Sequence, residues 1–480
     1  MNWPRRAAPY TIPSAMTTSA PLPPMPPGHW LWGHQLQRQR DPLGLYLKAR
    51  QQFGDVVRFR MGYVQVEQLT HPNHVKHVLA DASARYTKGT VFDKTRPLVG
   101  NGLLTAEGDF WKRLRRLAQP AFHKERLASL ATMMTDTISE RLQTWAPAVD
   151  GGGPVPLFQE MMKLTLTVVV RSLFSSDVKE HTHTLGEAFT TALEVTNERI
   201  ISPLPYQPWL YRLPTKKNRA FQRAVGTLDS IVNDIITRRR AAGTADAKDL
   251  LGMLMAVFDA DTQDALDDAQ LRDEVMTLLL AGHETTATSL AWTFHLLEQH
   301  PEVEATVHAE VDRELGGRVP TVEDLPKLRY LGCVFEEAMR LYPPIWAIPR
   351  VPQEDDVVDG FRIPKGDIVI LVPYVTHRHP DFWPEPERFD PTRFLPENSK
   401  DRPRWAYLPF GGGQRQCIGN NFAMMEAQLI LAMVAQRFTL RGVPGVPVEP
   451  EPHVTLRPRG PMPMVVTRRG GVSQELSRMA

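Results

Sequence analysis

Phe410-Gly-Gly-Gly-Gln-Arg-Gln-Cys417-Ile-Gly419 is the stretch on which the reading of this chain turns. Three consecutive glycines permit left-handed turns and let the backbone approach something flat or bulky. Cys417 follows, just ahead of a helical pattern that starts after Gly419 and reaches roughly Phe438. Free N–H groups at a helix start, and the positive end of its dipole, favour a thiolate there. A buried thiolate needs a cation, and a metal supplies one. A lone cysteine is more often a small buried hydrophobe, but the glycine frame and Arg415 weigh against that here. The other cysteine, Cys333, is expected to fill the core. Two cysteines in 480 residues make no zinc pattern and point to a reducing compartment.

Outward from this loop the pattern is mainly helical. The longest helix is predicted from Asp267–Gln270, which can cap it, to about His300, where Pro301 ends it or opens the next. Another is expected from Pro301 to Gly316-Gly317, and one from Lys327 to Tyr342, stopped by Pro343-Pro344. Alternation from Asp55 to Leu69, with Gly62 at a turn, reads as a hairpin; a second β zone runs from Ile345 to Pro373, with Asp359-Gly360 as a tight turn. The fold class is therefore mainly α with a minor β region. Residues 1–25 read as a flexible proline-rich lead-in, and 26–480 as a single domain.

Composition excludes several function classes. Against 56 basic residues stand 54 acidic ones, so no nucleic-acid partner is expected. No run of about 18 apolar residues marks a membrane span or anchor, and no apolar segment follows Arg5-Arg6 to make a secretory signal. The expectation is a soluble, cytoplasmic monomer.

Three further motifs carry chemistry. Glu337-Ala-Met-Arg340 places an acid and a base on one helix face; on a surface such a pair would contribute little. Downstream lies Phe382-Trp-Pro-Glu-Pro-Glu-Arg388-Phe389. Inside the longest helix, Ala281-Gly282-His283-Glu284-Thr285-Thr286 sets a carboxylate in apolar surroundings, and such a carboxylate usually has a task. A mid-helix glycine costs about 1 kcal/mol, and a threonine beside it can bond the backbone and open a local bulge. Trp111-Lys-Arg-Leu-Arg115-Arg116 reads by itself as a basic helix face.

Together these motifs, in this order, resemble the cytochrome P450 family of heme-thiolate monooxygenases. The resemblance spans about residues 25 to 465 and implies the family's helical prism with a small β domain. It implies heme b (iron protoporphyrin IX) ligated by Cys417, with Phe410, Gly413 and Gly419 shaping the loop around the sulfur. Trp111, Arg115, Arg350 and Arg415 would hold the propionates; His377-Arg378 could assist. Glu337, Arg340 and Arg388 would form a buried network that positions the cysteine loop. Glu284 and Thr285 would relay protons during O2 activation, and Gly282 would leave room for O2. His283 is not expected to ligate iron. Phe92, Ala281, Gly282, Ile345, Trp346 and Ala347 would line the pocket, together with the stretches 86–104 and 189–209 and the segment after Pro344. The substrate class is small and apolar: fatty acid, terpenoid or steroid.

No flavin or iron–sulfur segment follows the last motif. NAD(P)H electrons would therefore arrive through a ferredoxin or flavodoxin with its reductase. The basic residues from Lys112 to Arg126, with Arg402 and Arg404, read either as a docking patch for such a partner or as a solvated face.

Overall fold

The computed structural model describes residues 19–89, 92–174, 182–201, 207, 209–242, 249–256 and 265–470. Residues 1–18 of the expected lead-in, with 90–91, 202–206 and 208 of the expected pocket stretches, lie outside them.

Ten helices build the frame: α1 (Pro42–Phe53), α2 (Gly108–Ala118), α3 (Ala131–Gln143), α4 (Leu157–Phe174), α5 (Thr182–Ile201), α6 (Lys216–Ala242), α7 (Asp268–Gln299), α8 (Pro301–Leu315), α9 (Arg329–Leu341) and α10 (Asn420–Arg437). Helix α7 is the axle. Its 32 residues span about 48 Å at 1.5 Å per residue. Its start is fixed by a capping box in which the Asp267 side chain accepts from Gln270 N–H and the Gln270 side chain accepts from Asp267 N–H. From His283 to Leu297 it is buried apart from Thr285, so it runs through the core and cannot be an exposed rod. Near its C-terminal end Trp292 stacks on Tyr342, ring centroids 4.0 Å apart, tying α7 to the end of α9.

The expected bulge in α7 is absent. The helix passes unbroken through Gly282, and the Thr285 hydroxyl bonds back to the Ala281 carbonyl at 2.7 Å. Gly282 also serves packing. A Cβ there would meet Val169 Cγ2 of α4 at 2.9 Å. The same α4–α7 contact is tied by the Thr165 hydroxyl, which donates to the His283 carbonyl at 3.0 Å.

The β region follows the alternation. Strands β1 (Val56–Met61) and β2 (Val64–Leu69) form the first hairpin, with Gly62 at φ +65°. They continue into β3 (Tyr86–Thr87), β4 (Ile348–Pro352) and β7 (Ile368–Leu371), in the order β1-β2-β7-β4-β3, with the β2–β7 pair alone parallel. Between β4 and β7, β5 (Asp356–Val358) and β6 (Phe361–Ile363) make a separate hairpin, turned by Asp359 and Gly360 at φ +52° and +77°. The proline-rich stretch 21–28 is extended, as proline requires, but the expected boundary at residue 25 falls inside a segment the small β region holds. The Pro24 carbonyl accepts from Arg58 N–H, and the Pro21 carbonyl from Arg362 N–H. Among the described residues no helix is long and apolar enough to cross a membrane.

Candidate active site

Between α7, the small sheet and the Cys417 loop lies a cavity of about 1430 Å³. The loop is shaped by its glycines. Gly411 and Gly413 sit at φ +67° and +68°, where a side chain would be strained. A Cβ on Gly412 would run into the Trp405 ring, and one on Gly413 into the Leu79 carbonyl. Cys417 N–H closes the loop by donating to the Phe410 carbonyl at 2.9 Å. Phe410, Gly411, Gly412, Cys417 and Gly419 all face the cavity, while Gly413 does not; its work is to seat the loop on the backbone at Leu79. Burial pushes the Cys417 thiol up, opposed by the Gly419 N–H and by Arg115. Facing the cavity from a loop of this shape, the sulfur is placed to ligate a metal cation, which would stabilise its thiolate.

On the same cavity stands a cationic cluster of Lys88, Arg115, Arg350 and Arg415, with Trp111. Arg415 lies over the Trp111 ring at 3.8 Å, donates to the Ala106 carbonyl and pairs with Glu107. Arg115 donates to the Gln416 carbonyl at 2.8 Å. Burial first, then repulsion from Arg415, pulls Arg350 down to about 10. The same causes, with Arg350 added, pull Lys88 down to about 7. The Lys88 ammonium is held by the Leu103 and Leu104 carbonyls and faces the Phe92 ring at 5.3 Å. Among the described residues Glu107 is the carboxylate paired within the cluster, and it also accepts from Lys88 N–H. An under-neutralised buried cluster of this kind fits a ligand that brings carboxylates, as the two propionates of heme do. Together with a cavity-facing thiol, the residues fit the group.

Glu284 and Thr285 line the cavity, as do Ala281, Gly282, Phe92, Ile345, Trp346 and Ala347. Glu284 is 3% exposed, and burial pushes its carboxyl up. It accepts a 2.7 Å hydrogen bond from Thr455, 171 residues away, which nothing local in the sequence signals. Trp346 is partly committed to structure, since its Nε1–H donates to the His453 carbonyl. His283 is turned away from the cavity, edge-on to Phe189 at 5.3 Å, and burial drops it to about 4.

Behind the loop, Glu337 and Arg340 are both fully buried. Arg340 uses all five of its N–H groups: two on the Glu337 carboxylate and the others on the carbonyls of His377, Pro386 and Arg388. Glu337 also accepts from Asp390 N–H at 2.9 Å. Arg388 is not the third charged member. Its side chain is 64% exposed and pairs with Glu385, and only its carbonyl joins. Arg393 takes that place, with Nε 3.4 Å from Glu337. The reason is the path of the chain. Glu385 at φ +47° turns Arg388 outward, and the short turn Pro391–Phe394, capped by Asp390, brings Arg393 back. His377 and Arg378 belong to this region and not to the cavity. His377 Nε2 accepts from Leu408 N–H, and Arg378 pairs with Glu387. Arg402 is likewise engaged, stacked on Trp383 at 4.1 Å, which removes it from a free basic patch. Lys112, Lys124, Arg126 and Arg404 are exposed.

The comparisons agree with this geometry. The family described as Cytochrome P450 matches residues 23–465. The chain is 40% identical to cyclooctatin synthase of Streptomyces melanosporofaciens over 441 residues, covering 92% of this chain and 94% of that one. It is 39% identical to cyclooctat-9-en-7-ol 5-monooxygenase of the same organism, with the same coverage. Pentalenene oxygenase of Streptomyces avermitilis is 34% identical, over 87% of this chain and 91% of that one. Among solved structures, the cytochrome P450DA heme domain superposes with a TM-score of 0.85 at 29% identity, covering 94% and 98% of the two chains. A cyanobacterial member bound to retinoic acid gives 0.84 at 28% identity, covering 94% and 100%. With a cavity-facing cysteine, a carboxylate-hungry cationic cluster and these relatives, the chain belongs to the cytochrome P450 family and is a heme monooxygenase.

Proposed function

We propose that this P450 inserts one oxygen atom from O2 into a terpenoid, with electrons delivered from NAD(P)H by a separate ferredoxin or flavodoxin and its reductase. The observation that carries the reading is the large, mostly apolar cavity shared by Cys417 and Thr285. Relatives whose names specify cyclooctatin, cyclooctat-9-en-7-ol and pentalenene favour a terpenoid over the fatty acid and steroid alternatives. Bound heme supplies the oxidising chemistry at its iron.

The residues act around it. Cys417 would hold the iron through its thiolate; Lys88, Trp111, Arg115, Arg350 and Arg415 would neutralise and orient the propionates. Thr285 and Glu284 stand on consecutive positions of α7, and they hold the protons that reduction of O2 consumes. Thr455 orients the Glu284 carboxylate and leaves its second oxygen for water. The apolar wall excludes bulk water from the reacting C–H bond.

A Thr285→Ala enzyme supplied with O2, a reductase system and a terpene substrate tests the relay. The reading predicts continued consumption of reducing equivalents with at least a tenfold loss of product per electron, in line with the usual worth of positioned proton transfer of about 10²–10⁴. Unchanged, tightly coupled turnover overturns it.

A further inference from the structure

The helix α5 face that meets the cavity is formed by Leu193, Thr196, Asn197 and Ile200, spaced as one helical stripe. Three of the four need nothing from a ligand. Leu193 and Ile200 are apolar, and the Thr196 hydroxyl bonds back to the Ala192 carbonyl at 2.8 Å. Asn197 differs. It is 4% exposed, its Oδ1 has no partner, and no hydrogen bond to its Nδ2 is present among the described residues. A second buried asparagine nearby shows how the fold ordinarily treats the group: Asn218 accepts from Arg199 and donates to the Leu210 and Leu213 carbonyls. Buried amides are almost always satisfied, because leaving one unpaired forfeits its hydration for nothing. The proton relay and the heme-binding cluster make no use of Asn197.

We propose that Asn197 is a specificity residue whose amide hydrogen-bonds an oxygen function already present on the substrate, so that the cavity takes a terpenoid alcohol in preference to the parent hydrocarbon. The inference rests on the terpenoid reading above. Rotation about the last side-chain torsion, which is broad for asparagine, lets the amide accept from a hydroxyl or donate to its oxygen. On a helix face whose other cavity-facing groups need nothing from a ligand, such an amide discriminates, since the hydrocarbon leaves it unpaired. It follows that the substrate is supplied by an earlier step that installs oxygen: a hydroxylation, or a cyclisation ended by water.

The test uses the heme-loaded enzyme, its Asn197→Leu variant, and two hydrocarbon–alcohol pairs, cedrene with cedrol and ent-kaurene with ent-kaurenol. Dissociation constants are measured by equilibrium dialysis, a readout independent of the iron. The wild type should bind the alcohol of at least one pair about tenfold tighter than its hydrocarbon. N197L should lose that preference while holding the hydrocarbon equally well or better. Without substrate, N197L should also melt at a temperature no lower than the wild type, because the amide it removes has no partner to lose. An equal alcohol-to-hydrocarbon ratio in the two proteins overturns the role of Asn197 and leaves the terpenoid reading standing. So does a wild type with no preference, in which case cavity water satisfies the amide. If no member of either pair binds while palmitate does, the terpenoid reading itself falls and takes this inference with it.

Discussion

Replacing Glu337 by alanine removes the carboxylate that answers Arg340, a guanidinium with no solvent exposure. Two of its five N–H groups lose their acceptors, Asp390 N–H loses its own, and Arg393 loses its partner. Breaking a buried pair from one side costs about 3–5 kcal/mol, because the remaining charge is stranded. Spread over 480 residues at roughly 2.1 cal/mol/K each, that is a drop of about 3–5 °C in melting temperature. Since the pair fastens the segments around His377, Pro386 and Arg388 behind the cysteine loop, heme content per chain should fall with it. Arg393→Ala should give a smaller loss in the same direction. Arg388→Ala, which touches only an exposed pair with Glu385, should change stability by less than about 1 kcal/mol and leave heme content intact. Melting curves and the ratio of heme to protein absorbance decide. Arg388→Ala as damaging as Glu337→Ala, with Arg393→Ala silent, would refute the assignment.

Other outcomes follow from the same geometry. Lys88 is held at about 7 in the cluster, and heme carboxylates should raise it, so binding heme takes up a proton. Affinity of the apoprotein for heme should then weaken as pH rises above 7, by up to about tenfold per unit; Lys88→Met should flatten that dependence in a heme titration, and an unchanged slope would exclude Lys88. Thr455→Val removes the hydrogen bond that opposes burial at Glu284. Its carboxyl should rise further, so product formed per electron should begin to fall at a higher pH than in the wild type as pH is lowered, with the largest difference between the two titrations; coupling equal to wild type across pH would count against the pair. Gly282→Ala sets a methyl 2.9 Å from Val169, a clash of about 1–3 kcal/mol against about 1 kcal/mol gained in helix propensity. Adding Val169→Ala should recover the melting temperature, and failure to recover it would show that Gly282 answers to something other than α4.

What was legible in the sequence was local. The Asp267–Gln270 cap, the Gly62 and Asp359-Gly360 turns and the proline stops each fix their element through neighbours in the chain, and each stands where the pattern puts it. The cysteine loop was legible because its glycines encode a backbone path directly. The third ion-pair member was not, because whether Arg388 or Arg393 returns to Glu337 depends on a turn at Glu385 that no periodicity marks. Thr455 and Lys88 escaped for a related reason. One meets its partner across 171 residues, and the other is a single lysine whose meaning comes from three arginines brought to it by other segments. Gly282 is expected to make space for a ligand and does line the cavity; that α4 also packs against it, with Val169 2.9 Å from where a Cβ would stand, is not marked in the sequence.

The central claim is that Cys417 holds heme iron as a thiolate. Its most direct test is the visible spectrum of the reduced, carbon monoxide-bound protein beside that of Cys417→Ala. The account predicts a strongly red-shifted Soret band in the first and its loss in the second. A band typical of histidine-ligated heme in the wild type, or a red-shifted band that survives in the variant, would contradict it.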